Sequence, residues 1–94
     1  MQVTEVRIYP ADEEELRGYA SITLDDCWMV RDLKIIRSDS GGLYVAMPSK
    51  KQRDGTYREI AYPITAEARA LIEEAVLTTY REICEQQKTP RRTS

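Results

Sequence analysis

The fold class follows from the stretch Gly18–Leu24, which reads Gly-Tyr-Ala-Ser-Ile-Thr-Leu. Its even-numbered positions are small or apolar, and its odd-numbered positions carry a phenol or a hydroxyl. A period of two is typical of a strand with one buried and one exposed face. The pair Asp25-Asp26 follows and predicts a turn into a second strand.

Four further segments are rich in β-forming residues and end at a proline or at turn residues. They are Val3–Tyr9, Cys27–Arg37, Leu43–Met47 and Tyr57–Tyr62. The alternation in the second of these fails at Arg31-Asp32, and a β-bulge there would restore it. The acidic run Asp12–Glu15 is interpreted as a solvated hairpin loop, with a short helical turn as the alternative.

The hydrophobic period changes after Pro63. Thr65 is a good N-cap, and Glu67 places an anion in the first turn, where the helix dipole favours it. Apolar residues then recur at the i, i+3, i+4, i+7 spacing of an amphipathic helix that runs to about Gln86 or Gln87. We therefore expect one domain over residues 1–87 and a disordered basic tail over residues 88–94.

These elements predict an α+β fold, in which an antiparallel sheet of about five strands packs against one long C-terminal helix. The helix would be ~33 Å long, about as long as the domain itself. An open sheet also leaves two edges that need protection or pairing. Both points predict a homodimer.

Composition narrows the classes of function. The chain has 94 residues, of which 41% are hydrophobic and 32% charged, and it contains no histidine. No apolar stretch approaches the ~20 residues of a membrane span, and no signal peptide is recognisable, so a cytoplasmic location is expected. The two cysteines, Cys27 and Cys84, are interpreted as buried free thiols.

No catalytic or cofactor motif is recognisable. The carboxylate pairs Asp25-Asp26 and Glu73-Glu74 are sequence neighbours, whose side chains diverge in a strand or helix. Phosphate loops, nucleophile elbows and metal-ligand spacings are missing from the sequence. We therefore expect no enzyme activity, no metal, no cofactor and no small-molecule substrate.

Charge is unevenly distributed along the chain. The net charge is −2, yet residues 31–58 carry seven basic and three acidic side chains. Lys50, Lys51 and Arg53 lie in a predicted loop, and Arg58 lies on the strand after it. Such cations can neutralise phosphates without reading sequence. The alternative is a solvated loop whose lysines keep a sheet edge soluble.

Other side chains add to this hypothesis. Basic residues along the third strand would converge on one face if the bulge aligned them, and three tyrosines would stack bases if exposed. These residues are Arg31, Lys34 and Arg37, and Tyr44, Tyr57 and Tyr62. Arg69 and Arg81 of the helix stand four residues before Glu73 and Glu85, a spacing that suits surface pairing. Trp28 and Met29 are interpreted as core or dimer contacts.

The motifs also resemble those of the SpoVG family, that of stage V sporulation protein G, also called a septation protein. The resemblance lies in Ala20–Asp25, in Gly42–Lys51 with its Val-Ala-Met-Pro-Ser-Lys sequence, and in Tyr57–Ile64 with its Ala-Tyr-Pro-Ile sequence. It covers roughly residues 1–83. Family members often carry histidine where this chain has Arg31 and Tyr62.

The resemblance implies a bacterial cytoplasmic homodimer that regulates sporulation and asymmetric septation and binds DNA, and RNA as well. The implied nucleic-acid contacts are Lys50, Lys51, Arg53, Arg58, Arg69 and Arg81. The alternative is a non-enzymatic protein-interaction module that acts on a division protein through a sheet edge, the helix face or the acidic N-terminal third.

Overall fold

The computed structural model describes the backbone of residues 1–93 and the side chains of residues 1–85. The strands are β1 (Val3–Pro10), β2 (Leu16–Leu24), β3 (Trp28–Arg37), β4 (Leu43–Ala46), β5 (Ser49–Lys51) and β6 (Tyr57–Glu59), and the helix is α1 (Ala66–Thr93). The predicted α+β class, an antiparallel sheet packed against one C-terminal helix, is confirmed.

The main sheet contains four antiparallel strands in the order β1-β2-β3-β4. The predicted β-bulge is confirmed, since Ala20 pairs with Leu33 while Ile22 pairs with Val30. Arg31 and Asp32 therefore both lie opposite Ser21. The bulge returns the apolar residues on either side of it to the face that the helix covers.

The sheet departs from the sequence prediction after Met47. The expected fifth strand does not join the main sheet; it is shortened to β6 and pairs with β5 in a separate two-stranded ribbon. The sequence predicted β5 as a loop because Ser-Lys-Lys has no apolar face to reveal a strand. Pro48 has no N–H for a ladder hydrogen bond, and its carbonyl accepts one from Ile60 N at 2.9 Å.

The core lies between the main sheet and α1. Nine hydrophobic side chains are buried there: Ala20, Ile22, Leu33, Ile35, Val45, Met47, Ile72, Val76 and Tyr80. The sheet contributes one alternating face of β2, β3 and β4, and the helix contributes residues four apart. Within residues 1–93, no helix covers the opposite face of the main sheet.

The ends of α1 match the prediction only at its start. Thr65 Oγ1 accepts a hydrogen bond from Ala68 N at 3.1 Å, which confirms the N-cap. The assigned helix extends past the predicted end at Gln86 or Gln87. The predicted disordered tail over residues 88–94 falls outside the residues whose side chains are described, and it stays a prediction.

Two turns have the predicted positions. Asp12–Glu15 forms an exposed loop between β1 and β2. Asp25 and Asp26 both have positive φ, of 50° and 55°, as the type I′ turn of a tight hairpin requires. Asp25 Oδ1 accepts a hydrogen bond from Gln2 N at 2.9 Å, so the start of the chain fastens this turn.

Several side chains predicted to be buried are exposed. Trp28 is 71% exposed and Met29 is also exposed, so neither belongs to the core. Both cysteines are free, but Cys27 is exposed and Cys84 is only half-buried. These three exposed residues lie at the turn end of the β2–β3 hairpin. No helix in the described residues is long and apolar enough to cross a membrane.

Candidate nucleic-acid interface

The two-stranded ribbon carries the basic cluster that the sequence singled out. Its turn is closed by Gln52 N, which donates to Thr56 O at 2.6 Å. Asp54 Oδ1 accepts hydrogen bonds from Thr56 Oγ1 at 2.7 Å and from Thr56 N at 3.0 Å. Gly55 has a φ of +90°, a conformation that suits only glycine well. Asp54, Gly55 and Thr56 thus build the turn.

The turn also changes the acidity of Asp54. The Thr56 hydroxyl, followed by the Thr56 N–H, donates to the carboxylate and lowers the pKa of Asp54 below its ordinary value. The carboxylate is therefore held ionised and already hydrogen-bonded within the turn. Arg53, one residue earlier, makes no ion pair with it.

Lys50 and Arg58 occupy directly opposed positions on β5 and β6. Directly opposed residues point to the same face and place their Cβ atoms roughly 4.5–5.5 Å apart. Like charges in this arrangement repel each other. Among residues 1–85, the ion pair that the structure shows is Arg7–Glu5, so neither cation of the ribbon is neutralised there.

The other face of the ribbon is mixed. Lys51 lies opposite Tyr57, and Ser49 lies opposite Glu59. Every residue of both strands is exposed. Arg58 faces away from Tyr57 and Glu59, as its position in a strand predicts. Lys50, Lys51, Arg53 and Arg58 are thus brought together on one short projection.

The two helical arginines lie far from each other along α1. Arg69 lies in the first turns of α1, and Arg81 is twelve residues further, which corresponds to ~18 Å along the helix axis. A twelve-residue step also rotates a side chain by about a third of a turn. Arg69 and Arg81 therefore occupy two separate positions on α1.

The expected pairing of Arg69 with Glu73, and of Arg81 with Glu85, is wrong within the described side chains. Glu73 turns instead toward the sheet, where its Oε2 accepts a hydrogen bond from Val45 N at 3.5 Å. Val45 lies on β4, an edge strand with a free N–H. That donor accounts for the position of Glu73.

The cations of β3 separate into two faces. Lys34 lies opposite Tyr19, on the face of the main sheet away from α1, and Arg31 stands beside it at the bulge. Arg37 lies opposite Leu43, whose side chain packs against the core. The expected convergence therefore holds for Arg31 and Lys34 and is wrong for Arg37, because alternation places it on the other face.

Aromatic side chains accompany the basic residues. Tyr44, Tyr57 and Tyr62 are all exposed, as base stacking requires. Tyr9 and Tyr19, which were not among the tyrosines predicted to stack bases, are also exposed and lie directly opposite each other on β1 and β2. Side chains alternate along a strand, and the neighbouring Ile8 and Ala20 face the core. This alternation places Tyr9 and Tyr19 on the face of the main sheet away from α1.

The structure also shows an apolar pocket of about 190 Å³ at the start of α1. Its lining includes Met1, Leu24, Tyr62 and Pro63. Hydrophobic residues that are close in sequence to the lining residues are exposed, and Ile64 among them is 88% exposed. No group of three or more histidine, cysteine or acidic residues is placed to hold a metal within the described part of the chain.

Matches to known proteins cover most of the chain. The model of the SpoVG family matches residues 1–82. A protein of Bdellovibrio bacteriovorus is 54% identical over 80 residues, which are 85% of this chain and 73% of that protein. One of Acetivibrio thermocellus is 45% identical over 85 residues, 89% of each chain. Both carry the name "Putative septation protein SpoVG".

Proposed function

Because the chain belongs to the SpoVG family, we propose that it is a bacterial regulator of sporulation or asymmetric septation that binds DNA, and RNA as well, as a homodimer. The septation role is that named for its relatives. The nucleic-acid contacts are those of the basic ribbon, with Arg69 and Arg81 as outlying contacts. The protein acts by binding and not by catalysis.

The opposed pair Lys50 and Arg58 is the observation that carries this proposal. Two exposed cations on one face of a ribbon repel each other unless an anion lies between them. A phosphate group supplies that anion, and both side chains donate charge-assisted hydrogen bonds to it. Bound phosphate therefore converts an unfavourable pair into a favourable one.

The shape of the ribbon suits the same ligand. The major groove of B-DNA is about 12 Å wide and admits a two-stranded β-ribbon. A ribbon with Arg53 in its turn and cations on its strands reaches the phosphates that border the groove. Such contacts supply affinity and orientation, whereas they carry little sequence information. Strong dependence on salt follows, because each neutralised phosphate releases counterions.

The test compares wild type with a Lys50→Ala, Lys51→Ala, Arg53→Ala variant by fluorescence anisotropy on labelled duplex DNA at several salt concentrations. If the three cations each neutralise one phosphate, the slope of log K against log salt becomes shallower by roughly three. Single Arg69→Ala and Arg81→Ala variants each change the slope by about one if they contact the same duplex.

Two controls separate phosphate contacts from general charge. A Lys50→Arg, Lys51→Arg, Arg53→Lys variant keeps every charge and should bind with the wild-type salt slope. Arg37→Ala removes a cation from β3, and the slope should stay at its wild-type value. Wild-type binding by the triple alanine variant would reject the ribbon as the contact surface.

A protein-interaction module that acts on the division machinery is the second candidate. The apolar pocket and the exposed hydrophobic residues around it favour this reading, since such patches mark protein interfaces. Absence of any salt-sensitive nucleic-acid binding by the wild-type protein would move the assignment to this candidate.

A further inference from the structure

The face of the main sheet opposite α1 has no covering element among the described residues. Ala20 and Ile22 of β2 point into the core, so Tyr19, Ser21 and Thr23 point to this open face. On β1, Tyr9 lies directly opposite Tyr19. Tyr9 is 55% exposed and Tyr19 is 40% exposed, so both rings are accessible.

The two rings form one aromatic surface. Opposed residues of neighbouring antiparallel strands bring their side chains into contact, and aromatic pairs favour this position. Tyr44 of β4 adds a third exposed ring on this face, beyond Lys34 and Ile36 of β3.

A cleft borders the aromatic pair. It has a volume of about 280 Å³ and is lined by Tyr9, Tyr19, Ser21, Arg31 and Asp32 among others. Pockets that bury a whole small molecule measure roughly 300–1,000 Å³, so this cleft suits one planar group. Ser21 is only 7% exposed and forms its floor.

The β-bulge builds the wall of this cleft. Asp32 has a φ of +66°, and the extra residue on β3 re-aims the two side chains that face Ser21. Arg31 and Asp32 consequently present a cation and an anion next to the two rings. Bulges often re-aim side chains near binding sites in this way.

Basic side chains lie beside the two tyrosines on the open face. Lys34 is directly opposite Tyr19, and neither it nor Arg31 forms an ion pair among the side chains of residues 1–85. Arg7 also lies on this face, but its guanidinium pairs with Glu5 at 3.2 Å, which raises the pKa of Arg7. Lys34 and Arg31 are therefore the free cations of this face.

From this geometry we infer that the open sheet face binds single-stranded nucleic acid, with bases stacked on Tyr9 and Tyr19 and the backbone phosphates at Lys34 and Arg31. Every base has a π-face, so exposed rings beside cations bind single strands with little sequence preference. The Asp32 carboxylate accepts hydrogen bonds from the amino edge of an unpaired base. A duplex keeps its bases inside the stack and cannot use this surface.

The inference rests on the proposed function, because it assigns a second nucleic-acid surface to the same regulator. The two surfaces have different ligands. The ribbon of β5 and β6 contacts phosphates of a duplex, whereas the open face requires unpaired bases. Loss of one activity therefore leaves the other measurable.

The experiment measures anisotropy of three labelled probes: a single-stranded RNA of mixed sequence, an abasic backbone of the same length, and duplex DNA. The variants are Tyr9→Leu and Tyr19→Leu, which remove the ring, and Tyr9→Phe and Tyr19→Phe, which keep it. The phenylalanine variants are the matched controls. Thermal melting shows that each variant is folded.

Each leucine variant is expected to weaken RNA binding by about tenfold, the usual effect of losing one stacked base. The phenylalanine variants should bind RNA within about twofold of wild type, and all four variants should bind duplex DNA equally. Wild type should prefer RNA over the abasic backbone. Ultraviolet cross-links to the RNA should map to β1 and β2.

Two results would overturn the inference. One is RNA binding by both leucine variants at the wild-type level. The other is conversion of a dimer to a monomer by Tyr19→Leu in sedimentation, which would make the open face a contact between copies of the chain. Loss of duplex binding by the ribbon variant, with RNA binding intact, supports both proposals separately.

Discussion

Tyr80 lies where α1 crosses the sheet, and it is the buried aromatic residue of the core. Burial raises the pKa of the Tyr80 hydroxyl, and the Cys84 thiol raises it further, while the Arg17 guanidinium lowers it. The first two effects are larger, so the neutral phenol is favoured in the folded protein. Because the pKa of Tyr80 is higher in the folded than in the unfolded protein, the free energy of unfolding depends on pH.

The sign of this link follows from the direction of the shift. Below the ordinary pKa of 10.0 the contribution of Tyr80 to stability is fully present, and it is lost as pH rises through the higher folded pKa. In the Tyr80→Phe variant, the free energy of unfolding should therefore fall less as pH rises. Urea titrations at about pH 8 and about pH 10.5 measure it.

Tyr57→Phe is the control for that measurement, because Tyr57 is exposed and has the same chemistry. It should keep the wild-type dependence on pH. An identical alkaline loss in wild type and Tyr80→Phe would show that Tyr80 does not titrate with unfolding.

The start of α1 depends on one hydroxyl. Thr65 Oγ1 satisfies Ala68 N, one of the N–H groups that have no partner within the helix. Thr65→Ala should therefore lower the free energy of unfolding by about 1 kcal/mol. Thr78→Ala, at an exposed position inside the helix, should be neutral or slightly stabilising because alanine has the higher helix propensity. Chemical denaturation of both variants distinguishes a cap from a propensity effect.

The ribbon of β5 and β6 contributes little to the core. All six of its strand residues are exposed, and the buried residues come from β2, β3, β4, α1 and the link at Met47. Alanine substitutions at Lys50, Lys51 and Arg53 should therefore leave the main sheet intact. If this variant loses nucleic-acid binding, the cause is therefore a lost contact and not unfolding of the main sheet.

The whole molecule exposes several large apolar side chains around the pocket at the start of α1. Trp28 is 71% exposed and pairs with Leu24, which lines the apolar pocket, and Ile64 is almost fully exposed. Ile60 and Tyr62 lie between the ribbon and α1 and are also exposed. Large apolar patches of this kind mark interfaces, and we propose that a second copy of the chain covers this one.

Ile64→Asp tests that proposal at the scale of the assembly. A dimer formed through this patch should dissociate, with Kd raised at least tenfold, because burying an unpaired carboxylate is unfavourable. Sedimentation over a range of protein concentrations measures the change. Tyr57→Asp is a control at another exposed residue, on the ribbon. An Ile64→Asp protein that remains dimeric would place the dimer contact elsewhere.

The local pattern of the sequence was sufficient for the α+β class, for the order of the elements other than β5, for the acidic loop and for the bulge. Gly18–Leu24 alternates, Arg31-Asp32 interrupts an alternation, and the stripe after Thr65 has a helical period. Each of these signals lies within a few residues of the element that it predicts. The family resemblance also rests on short motifs, and comparison over residues 1–82 confirms it.

Only the tertiary structure decided which strands share a sheet and which side chains meet. The ribbon separates from the main sheet because its pairing depends on residues six to ten positions apart, with no apolar face to mark it. The same holds for Tyr9 beside Tyr19, for Lys50 opposite Arg58, and for the exposure of Trp28. Strand pairing and burial are non-local, since they depend on what the rest of the chain places alongside.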